Sequence, residues 1–299
     1  MITAKNVTKQ FEDFTALKNL NCKIPEGCIY GLVGSNGAGK STFLRLITGI
    51  YKPTSGSIEI DDEPVWDNPK GKEKIVFVPD ELFFLHMASI NRMAKLYNSV
   101  YPDFDYKRLN MLVEGFGLDP KKNIGTFSKG MKRQAATALA LSCKTKYLFF
   151  DETFDGLDPV MRKMVKNMIF EDVCDRQATA VITSHSLREL EDTCDQLTLL
   201  HKGGIVFEKD VQNLKTSLFK IQVAYDFEYD KDLFKGIEML DFVKKGKVAT
   251  FIVRGDREKT EKILKEKNPI LVDILPLSLE EVFIYEIEAL GYAFKEVIE

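Results

Sequence analysis

The sequence has few cysteines, no long apolar stretch and no internal repeat, and each of these absences excludes a class of protein. Five cysteines among 299 residues form no Cys-x-x-Cys pair, so neither a disulfide framework nor a zinc site is expected. Reduced, buried thiols in a cytosolic chain are expected instead, at Cys22, Cys28, Cys143, Cys174 and Cys194. The longest apolar runs, at 135–141 and 147–150, are far shorter than the roughly 20 residues of a membrane-spanning helix. No signal peptide is expected at the N-terminus.

The sequence also lacks an excess of charge of either sign. Its 42 lysines and arginines are offset by 45 acidic residues, which leaves a formal net charge of −3. Such a chain has no general attraction for nucleic acid, so no nucleic-acid partner is expected. A hydrophobic fraction of 44% and a charged fraction of 29% are typical of globular proteins, and the length predicts two domains.

The order of apolar runs and helical patterns predicts an α/β domain with a mainly parallel sheet over residues 1–215. Within it, residues 80–125 are predicted to form a helical insertion, and residues 216–299 a small α+β C-terminal domain. Strands are predicted at 28–33, 75–78, 147–150, 178–183, 221–225, 248–253 and 270–275. Helices are predicted at 41–50, 88–100, 106–116, 129–142, 257–267 and 278–290.

A glycine-rich loop follows the first of these strands. Residues 34–41 read Gly-Ser-Asn-Gly-Ala-Gly-Lys-Ser, which matches Gly-x-x-x-x-Gly-Lys-Ser/Thr between a strand and a helix. Backbone N–H groups of such a loop surround phosphate, and the helix N-terminus adds positive potential. Lys40 would reach the β- and γ-phosphates of ATP, and Ser41 would bind Mg²⁺. The predicted phosphate-binding residues are Ser35, Asn36, Gly37, Ala38, Gly39, Lys40, Ser41 and Thr42.

A pair of carboxylates follows the apolar run at 147–150. An apolar strand delivers Asp151 to its carboxyl end, where ligands bind in open α/β sheets. Asp151 would hold the Mg²⁺, and Glu152 would polarise the attacking water. Together with the phosphate loop, this pair predicts a P-loop nucleoside triphosphatase.

Residues 127–134, Phe-Ser-Lys-Gly-Met-Lys-Arg-Gln, resemble the signature sequence of ABC-type ATPases, with Ser128 and Gly130 at the diagnostic positions. Ser128 is a good N-cap for the alanine-rich helix that follows. The resemblance implies that this helix N-terminus binds the γ-phosphate held by the loop of a second ATP-binding subunit. A homodimer or heterodimer is therefore expected.

Further positions follow the same family's order. The resemblance implies that Phe11 stacks on adenine, that Asp158 touches the partner subunit and that His185 contacts the γ-phosphate. At Asp80 the chain departs from the family, which usually has glutamine there. A carboxylate at this position can bind a Mg²⁺-linked water, but phosphates repel it where no metal intervenes. The predicted catalytic residues are Lys40, Glu152 and His185, and the predicted metal-site residues are Ser41, Asp151 and Asp80.

The C-terminal ending at 277–283 is similar to that of ATPases of bacterial drug and peptide exporters, antimicrobial-peptide and phenol-soluble-modulin exporters among them. The resemblance implies an integral membrane permease as a separate chain, and a peripheral position on the cytoplasmic face of the cell membrane. The alternative is a soluble ABC-type ATPase acting on ribosomes or DNA, but such proteins usually carry two cassettes or a long coiled-coil insertion. A nucleotide sensor without activity would lack the carboxylate of Glu152. Residues 216–299 are predicted to serve dimerisation or regulation.

Overall fold

The structure is a computed structural model that describes residues 1–289, without the side chains of Lys215 and Ser217. The chain divides into two compact units, of which the first ends at Glu208 and the second begins at Lys209. The boundary predicted from the sequence lies at 215.

The first unit contains seven α-helices and ten strands among the described residues, and the last strand continues for two residues past Glu208. The strands are β1 (Ile2–Phe11), β2 (Phe14–Ile24), β3 (Ile29–Val33), β4 (Ser55–Ile60), β5 (Glu63–Pro64), β6 (Ile75–Val78), β7 (Tyr147–Phe150), β8 (Thr179–Ser184), β9 (Gln196–His201) and β10 (Gly204–Asp210). The helices are α1 (Lys40–Ile47), α2 (Pro69–Glu73), α3 (Ile90–Val100), α4 (Tyr106–Gly115), α5 (Lys129–Ser142), α6 (Pro159–Arg176) and α7 (Leu187–Leu190).

A six-stranded sheet in the order β10-β9-β3-β8-β7-β6 forms the centre of this unit. The pairs β9–β3, β3–β8, β8–β7 and β7–β6 are all parallel. Every residue of β3, β7 and β8 is buried, as expected of strands covered on both faces. The predictions of strands at 75–78 and 147–150 and of a mainly parallel sheet are confirmed.

A second, four-stranded sheet in the order β2-β1-β4-β5 is antiparallel. The sequence analysis did not predict these strands. Their apolar residues lie mostly on one face, as at Ile2, Ala4 and Val7, so no continuous apolar run marks them. That face packs into a core that also holds Phe43 and Ile47 of α1.

The helical insertion consists of α3, α4 and a short 3₁₀ turn at Ile124–Thr126 before α5. Ser89, Asp105 and Ser128 each cap a helix by accepting a hydrogen bond from a backbone N–H three residues on. These caps determine where the three helices begin, so α3 begins at Ile90 and not at Ala88 as predicted.

The second unit contains one antiparallel sheet in the order β12-β13-β11-β14, with helices before and after its strands. Its elements are α8 (Val211–Ser217), β11 (Leu218–Ala224), a 3₁₀ turn (Lys231–Phe234), β12 (Met239–Lys245), β13 (Val248–Arg254), α9 (Arg257–Lys265), β14 (Leu271–Pro276) and α10 (Leu279–Ala289). This is the predicted α+β architecture, with β12 as an unpredicted strand. Leu290, the last residue of the helix predicted at 278–290, lies outside the described residues.

The second unit has a hydrophobic core of its own. Phe234 lies at its centre, with ring centroids 4.8 Å from Phe251 and 5.9 Å from Phe242. The buried Glu286 carboxylate of α10 forms salt bridges with Lys209 and with Arg254 of β13. A hydrophobic core of its own is typical of an independent domain.

Four of the cysteines are buried as expected, but Cys174 is exposed on α6, so that part of the prediction is wrong. Cys174 lies where α6 faces solvent, and no pattern of apolar residues in the sequence marks this position as exposed or buried. Burial raises the pKa of the Cys22 and Cys28 thiols to about 12, which keeps them protonated. Among residues 1–289, no helix combines the length and the low charge that crossing a membrane requires.

Candidate nucleotide site

The glycine-rich loop connects the carboxyl end of β3 to α1. Gly39 has a φ of +107°, and a Cβ there would lie 2.9 Å from the backbone oxygen of Ala16. Glycine is therefore required both by conformation and by the close approach of β2. No side chain caps the first turn of α1, so its N–H groups remain available to an anion.

Lys40, the first residue of α1, is almost fully buried in this loop. Its ammonium donates to the carbonyl oxygens of Gly34 at 2.7 Å and Ser35 at 3.2 Å. It also lies 3.3 Å from a carboxylate oxygen of Glu152. These contacts hold the charge of Lys40 inside the loop, where a phosphate would sit.

Asp151 follows β7 directly and lies beside the loop. Its Oδ1 accepts hydrogen bonds from Thr183 Oγ1 at 2.7 Å and from Ser41 Oγ at 3.1 Å. Its Oδ2 is buried and has no hydrogen-bond partner among the described residues. Burial raises the pKa of Asp151, and the neighbouring carboxylates of Glu152 and Asp80 raise it further against these two hydrogen bonds.

A buried carboxylate oxygen without a partner, next to a hydroxyl, is suited to Mg²⁺. In the part of the chain that the structure describes, no cluster of three or more His, Cys, Asp or Glu is placed to hold a metal. Mg²⁺ commonly takes one or two protein ligands and completes its shell with water and phosphate, so Asp151 and Ser41 fit this ion.

The carboxylate of Glu152 has different partners from that of Asp151. Its φ of +47° places its backbone in the left-handed region, and its N–H donates to Thr183 Oγ1 at 3.0 Å. One carboxylate oxygen faces Lys40, and the other lies 3.0 Å from Nδ1 of His185 and 3.3 Å from its backbone N. The structure thus brings the three predicted catalytic residues together.

The predicted nucleotide-binding loop and Asp80 lie around one cavity of 250 Å³. Its lining consists of Phe14, Ala16, Ser35, Asn36, Gly37, Gly39, Lys40, Ser41, Thr42, Asp80 and Glu152. Ala38 is buried beneath it. Phe11 is not among the lining residues. It pairs in register with Phe14 at the end of the β1–β2 hairpin, and its ring makes an edge contact with Tyr51.

Ser128 and Gly130 lie at the N-terminus of α5 and not in this cavity. Ser128 Oγ accepts a hydrogen bond from the N–H of Met131 at 3.2 Å, which confirms the predicted cap. Lys129 forms a salt bridge of 2.7 Å with Asp155, and this contact lowers the pKa of the Asp155 carboxyl. Asp158 caps α6 by accepting hydrogen bonds from two backbone N–H groups. Both helix N-termini are solvent-accessible in a single chain.

Asp80 makes a contact that the sequence analysis did not foresee. Its Oδ1 forms a 2.8 Å salt bridge with Arg133 of α5, and Arg133 also donates to the backbone oxygens of Pro79 and Asp80. One feature of the sequence could have indicated this salt bridge: Arg133 is a charged residue in an alanine-rich helix. Thr183 was also not predicted as a site residue, although it lies near the end of a buried strand, two residues before His185.

The phosphate-binding loop connects the parallel strand β3 to α1, and the buried Asp151 follows β7, which lies two positions from β3 in the sheet. This arrangement defines a P-loop nucleoside triphosphatase. A family model described as ABC transporter matches residues 17–155. The chain belongs to the ABC transporter ATP-binding proteins, and it is an ATPase.

Relatives of known name cover most of the chain. The ABC transporter ATP-binding protein YtrB of Bacillus subtilis (strain 168) is 30% identical over 285 residues, which cover 95% of this chain and 97% of YtrB. The bacitracin transport ATP-binding protein BcrA of Bacillus licheniformis is 34% identical, over 72% of this chain and 71% of BcrA. The lantibiotic transport ATP-binding protein SrtF of Streptococcus pyogenes is 30% identical, over 76% of this chain and 99% of SrtF.

The fold of the chain is also similar to that of solved ABC transporter structures. The structure of an ATP-binding subunit of an ABC transporter superposes with a TM-score of 0.67 at 23% identity, over 72% of this chain and 92% of that chain. A bacterial ABC transporter cassette described as dimeric superposes with a TM-score of 0.63, also at 23% identity, over 71% of this chain and 99% of that chain.

Proposed function

We propose that the chain is the ATP-hydrolysing subunit that powers a bacterial exporter of peptides or drugs. The observation that carries the proposal is the convergence of Lys40, Asp151, Glu152 and His185 on one phosphate-sized loop. The similarity to YtrB over nearly the whole chain, and to bacitracin and lantibiotic transport proteins, supports the substrate class.

In this proposal the residues act mainly by positioning and by charge. Lys40 neutralises the β- and γ-phosphates of ATP, while Asp151 and Ser41 hold the Mg²⁺ that offsets charge developing on the phosphate oxygens. Glu152 orients and polarises the attacking water. His185, which is hydrogen-bonded to Glu152, holds that carboxylate in place and senses the γ-phosphate. Phe11, which is exposed and pairs in register with the cavity-lining Phe14, stacks on adenine.

The site is completed by a second ATP-binding subunit. Ser128 and Gly130 lie at an exposed helix N-terminus outside the cavity, as a group that binds phosphate in trans requires. Gly130 allows a close approach, since a Cβ there would already lie 3.1 Å from the backbone oxygen of Gly156. ATP therefore joins two subunits, identical or not, and hydrolysis separates them.

An integral membrane permease is the second proposed partner, and the segment after Asp80 is its docking surface. Phe83 and Met87 are 79% and 68% exposed, although both are large apolar residues. Met87 lines a cavity of 330 Å³ together with Leu82, Phe84 and Leu85, the sequence neighbours of Phe83. An apolar helix end of a permease would bury these side chains and hold the chain on the cytoplasmic face of the membrane.

Purification from detergent-solubilised membranes of the native host tests this proposal. We expect an integral membrane protein to co-purify with the unaltered chain and with Phe170→Ser, which removes an exposed phenylalanine from α6. The double variant Phe83→Ser/Met87→Ser should lose that protein while retaining ATP binding. Co-purification with ribosomes or DNA, unaffected by either substitution, would favour the soluble alternative.

The substrate class needs a separate measurement. Inverted membrane vesicles from the host should accumulate a labelled cationic peptide antibiotic when ATP is added outside. Vesicles from a strain that carries Glu152→Gln in place of the natural gene should not. Equal accumulation in both would exclude this chain as the source of energy for peptide export.

A further inference from the structure

Three carboxylates lie at or beside the nucleotide cavity, and each must be reconciled with the negative charge of ATP. Glu152 faces Lys40 at 3.3 Å, and Asp151 offers its unpartnered Oδ2 to Mg²⁺. Asp80 lines the same cavity, with a side chain that is 56% exposed. Its negative charge would repel phosphate unless a cation offsets it.

Arg133 is that cation. Its side chain is only 1% exposed, and its fork makes three hydrogen bonds to residues 79–80. One terminal nitrogen donates to Asp80 Oδ1 at 2.8 Å, and the other donates to the carbonyl oxygens of Pro79 at 3.2 Å and Asp80 at 3.0 Å. A planar guanidinium held in this way has no freedom to turn toward another partner.

We propose that Arg133 is a positioning residue that fixes Asp80 at the rim of the cavity and neutralises it, so that ATP binds without repulsion from this carboxylate. The inference rests on the proposed nucleotide site and adds to it a residue of α5. It also explains why an acidic residue can stand at position 80 next to Asp151 and Glu152.

The test compares equilibrium binding of Mg²⁺-ATP to single and double variants of the full-length chain. Arg133→Gln leaves Asp80 unneutralised and should weaken ATP binding about tenfold, with kcat changed much less. Asp80→Asn removes the repelling carboxylate and leaves the charge of Arg133, so it should bind ATP at least as tightly as the unaltered chain. The double variant Asp80→Asn/Arg133→Gln should recover most of the affinity lost in Arg133→Gln, because the repelling charge is gone.

Two measurements separate charge from packing. Raising the ionic strength from about 0.1 M to about 1 M shortens the Debye length from ~10 Å to ~3 Å, so the defect of Arg133→Gln should shrink. Arg133→Lys keeps the charge without the planar fork and should retain affinity closer to that of the unaltered chain than Arg133→Gln does.

Arg176 provides a matched control. It donates to the Asp172 carboxylate and to the carbonyl oxygens of Lys144 and Thr145. Lys144 and Thr145 precede β7, at the end of that strand opposite to Asp151. Arg176→Gln should lose the same number of contacts without a change in ATP affinity. Thermal unfolding of every variant shows which losses of affinity are losses of folded protein.

The proposal would be overturned by a double variant that binds ATP as weakly as Arg133→Gln, since Arg133 would then act through packing. It would also be overturned by weaker binding of Mg²⁺-ATP to Asp80→Asn, since Asp80 would then belong to the metal site as the sequence predicted. An unaltered chain that binds no ATP would overturn the proposed nucleotide site, and this inference together with it.

Discussion

Adjacent acidic residues acquire different chemistry from their surroundings in this protein. Asp151 is completely buried, with one oxygen held by two hydroxyls, and its pKa is raised by that burial. Glu152, one residue later, has a left-handed backbone that directs its carboxylate to Lys40 and His185. In the proposed function, this one dipeptide supplies both the metal ligand and the water-polarising base.

The role of Glu152 predicts the effect of Glu152→Gln. The amide keeps the size of the side chain but cannot take a proton from water, so hydrolysis should fall by about two to four orders of magnitude. ATP affinity should be retained, because Lys40 and Asp151 are unchanged, and an ATP-bound dimer should accumulate. Phosphate release and light scattering measure the two effects, and hydrolysis near the unaltered rate would remove Glu152 from the mechanism.

The raised pKa of Asp151 predicts how Mg²⁺ binding depends on pH. The carboxyl group must be deprotonated to bind the ion, and in the fold it takes up a proton at a higher pH than an ordinary aspartate, whose pKa is about 3.9. As pH falls from neutrality, Mg²⁺ affinity should therefore decline before pH reaches ~4. Mg²⁺ titrations at a series of pH values check this, and a constant affinity down to pH ~4 would contradict it. Asp151→Asn should bind Mg²⁺ weakly at every pH.

At the scale of elements, the sequence predicted best those elements whose signal is local. The buried strands β6 and β7 have no polar residue, and α5 starts at a serine cap, so their bounds were predicted without error. The antiparallel strands β1 and β2 were not predicted, because their stability comes from pairing with each other and from one buried face.

The same distinction applies to the site. The loop at 34–41 and the pair Asp151 and Glu152 are contiguous motifs, so their places were predictable. The salt bridge between Asp80 and Arg133 joins residues 53 positions apart in sequence. The geometry of this salt bridge depends on how α5 packs beside β6, which no local pattern encodes.

The N-terminus of α5 is the element that should act on a second subunit. Ser128→Asp keeps a side chain that caps helices well, so the fold should be retained. Its negative charge would repel the γ-phosphate bound by the other subunit, and ATP-dependent dimerisation should be lost. ATP binding to the monomer should be nearly unchanged. Equal loss of binding and dimerisation, measured on the same preparation, would contradict a role in trans.

At the scale of the whole molecule, different parts of the chain form the nucleotide site and the hydrophobic core of the second unit. All the predicted site residues belong to the unit that ends at Glu208. The second unit has its own apolar core around Phe234 and Phe251 and its own buried carboxylate, Glu286. We propose that it is a dimer-stabilising or regulatory module, and this role can be tested apart from ATP binding.

Removal of the second unit should change how hydrolysis depends on protein concentration. Truncation after Asp210 retains all of β10 and the complete nucleotide site, so the affinity of the monomer for ATP should be unchanged. If the second unit keeps two subunits together after hydrolysis, it raises their effective concentration, and its loss should lower hydrolysis in dilute solution.

In that case the rate per subunit should recover as the concentration of the truncated protein rises, because association by the first units alone becomes sufficient. The excised segment 211–299 should also sediment as a dimer. A truncated protein with the full-length rate at every concentration, together with a monomeric excised segment, would exclude the dimer module. Contact with the membrane partner would then be the better explanation for the second unit, since a core of its own allows it to present a stable surface to another chain.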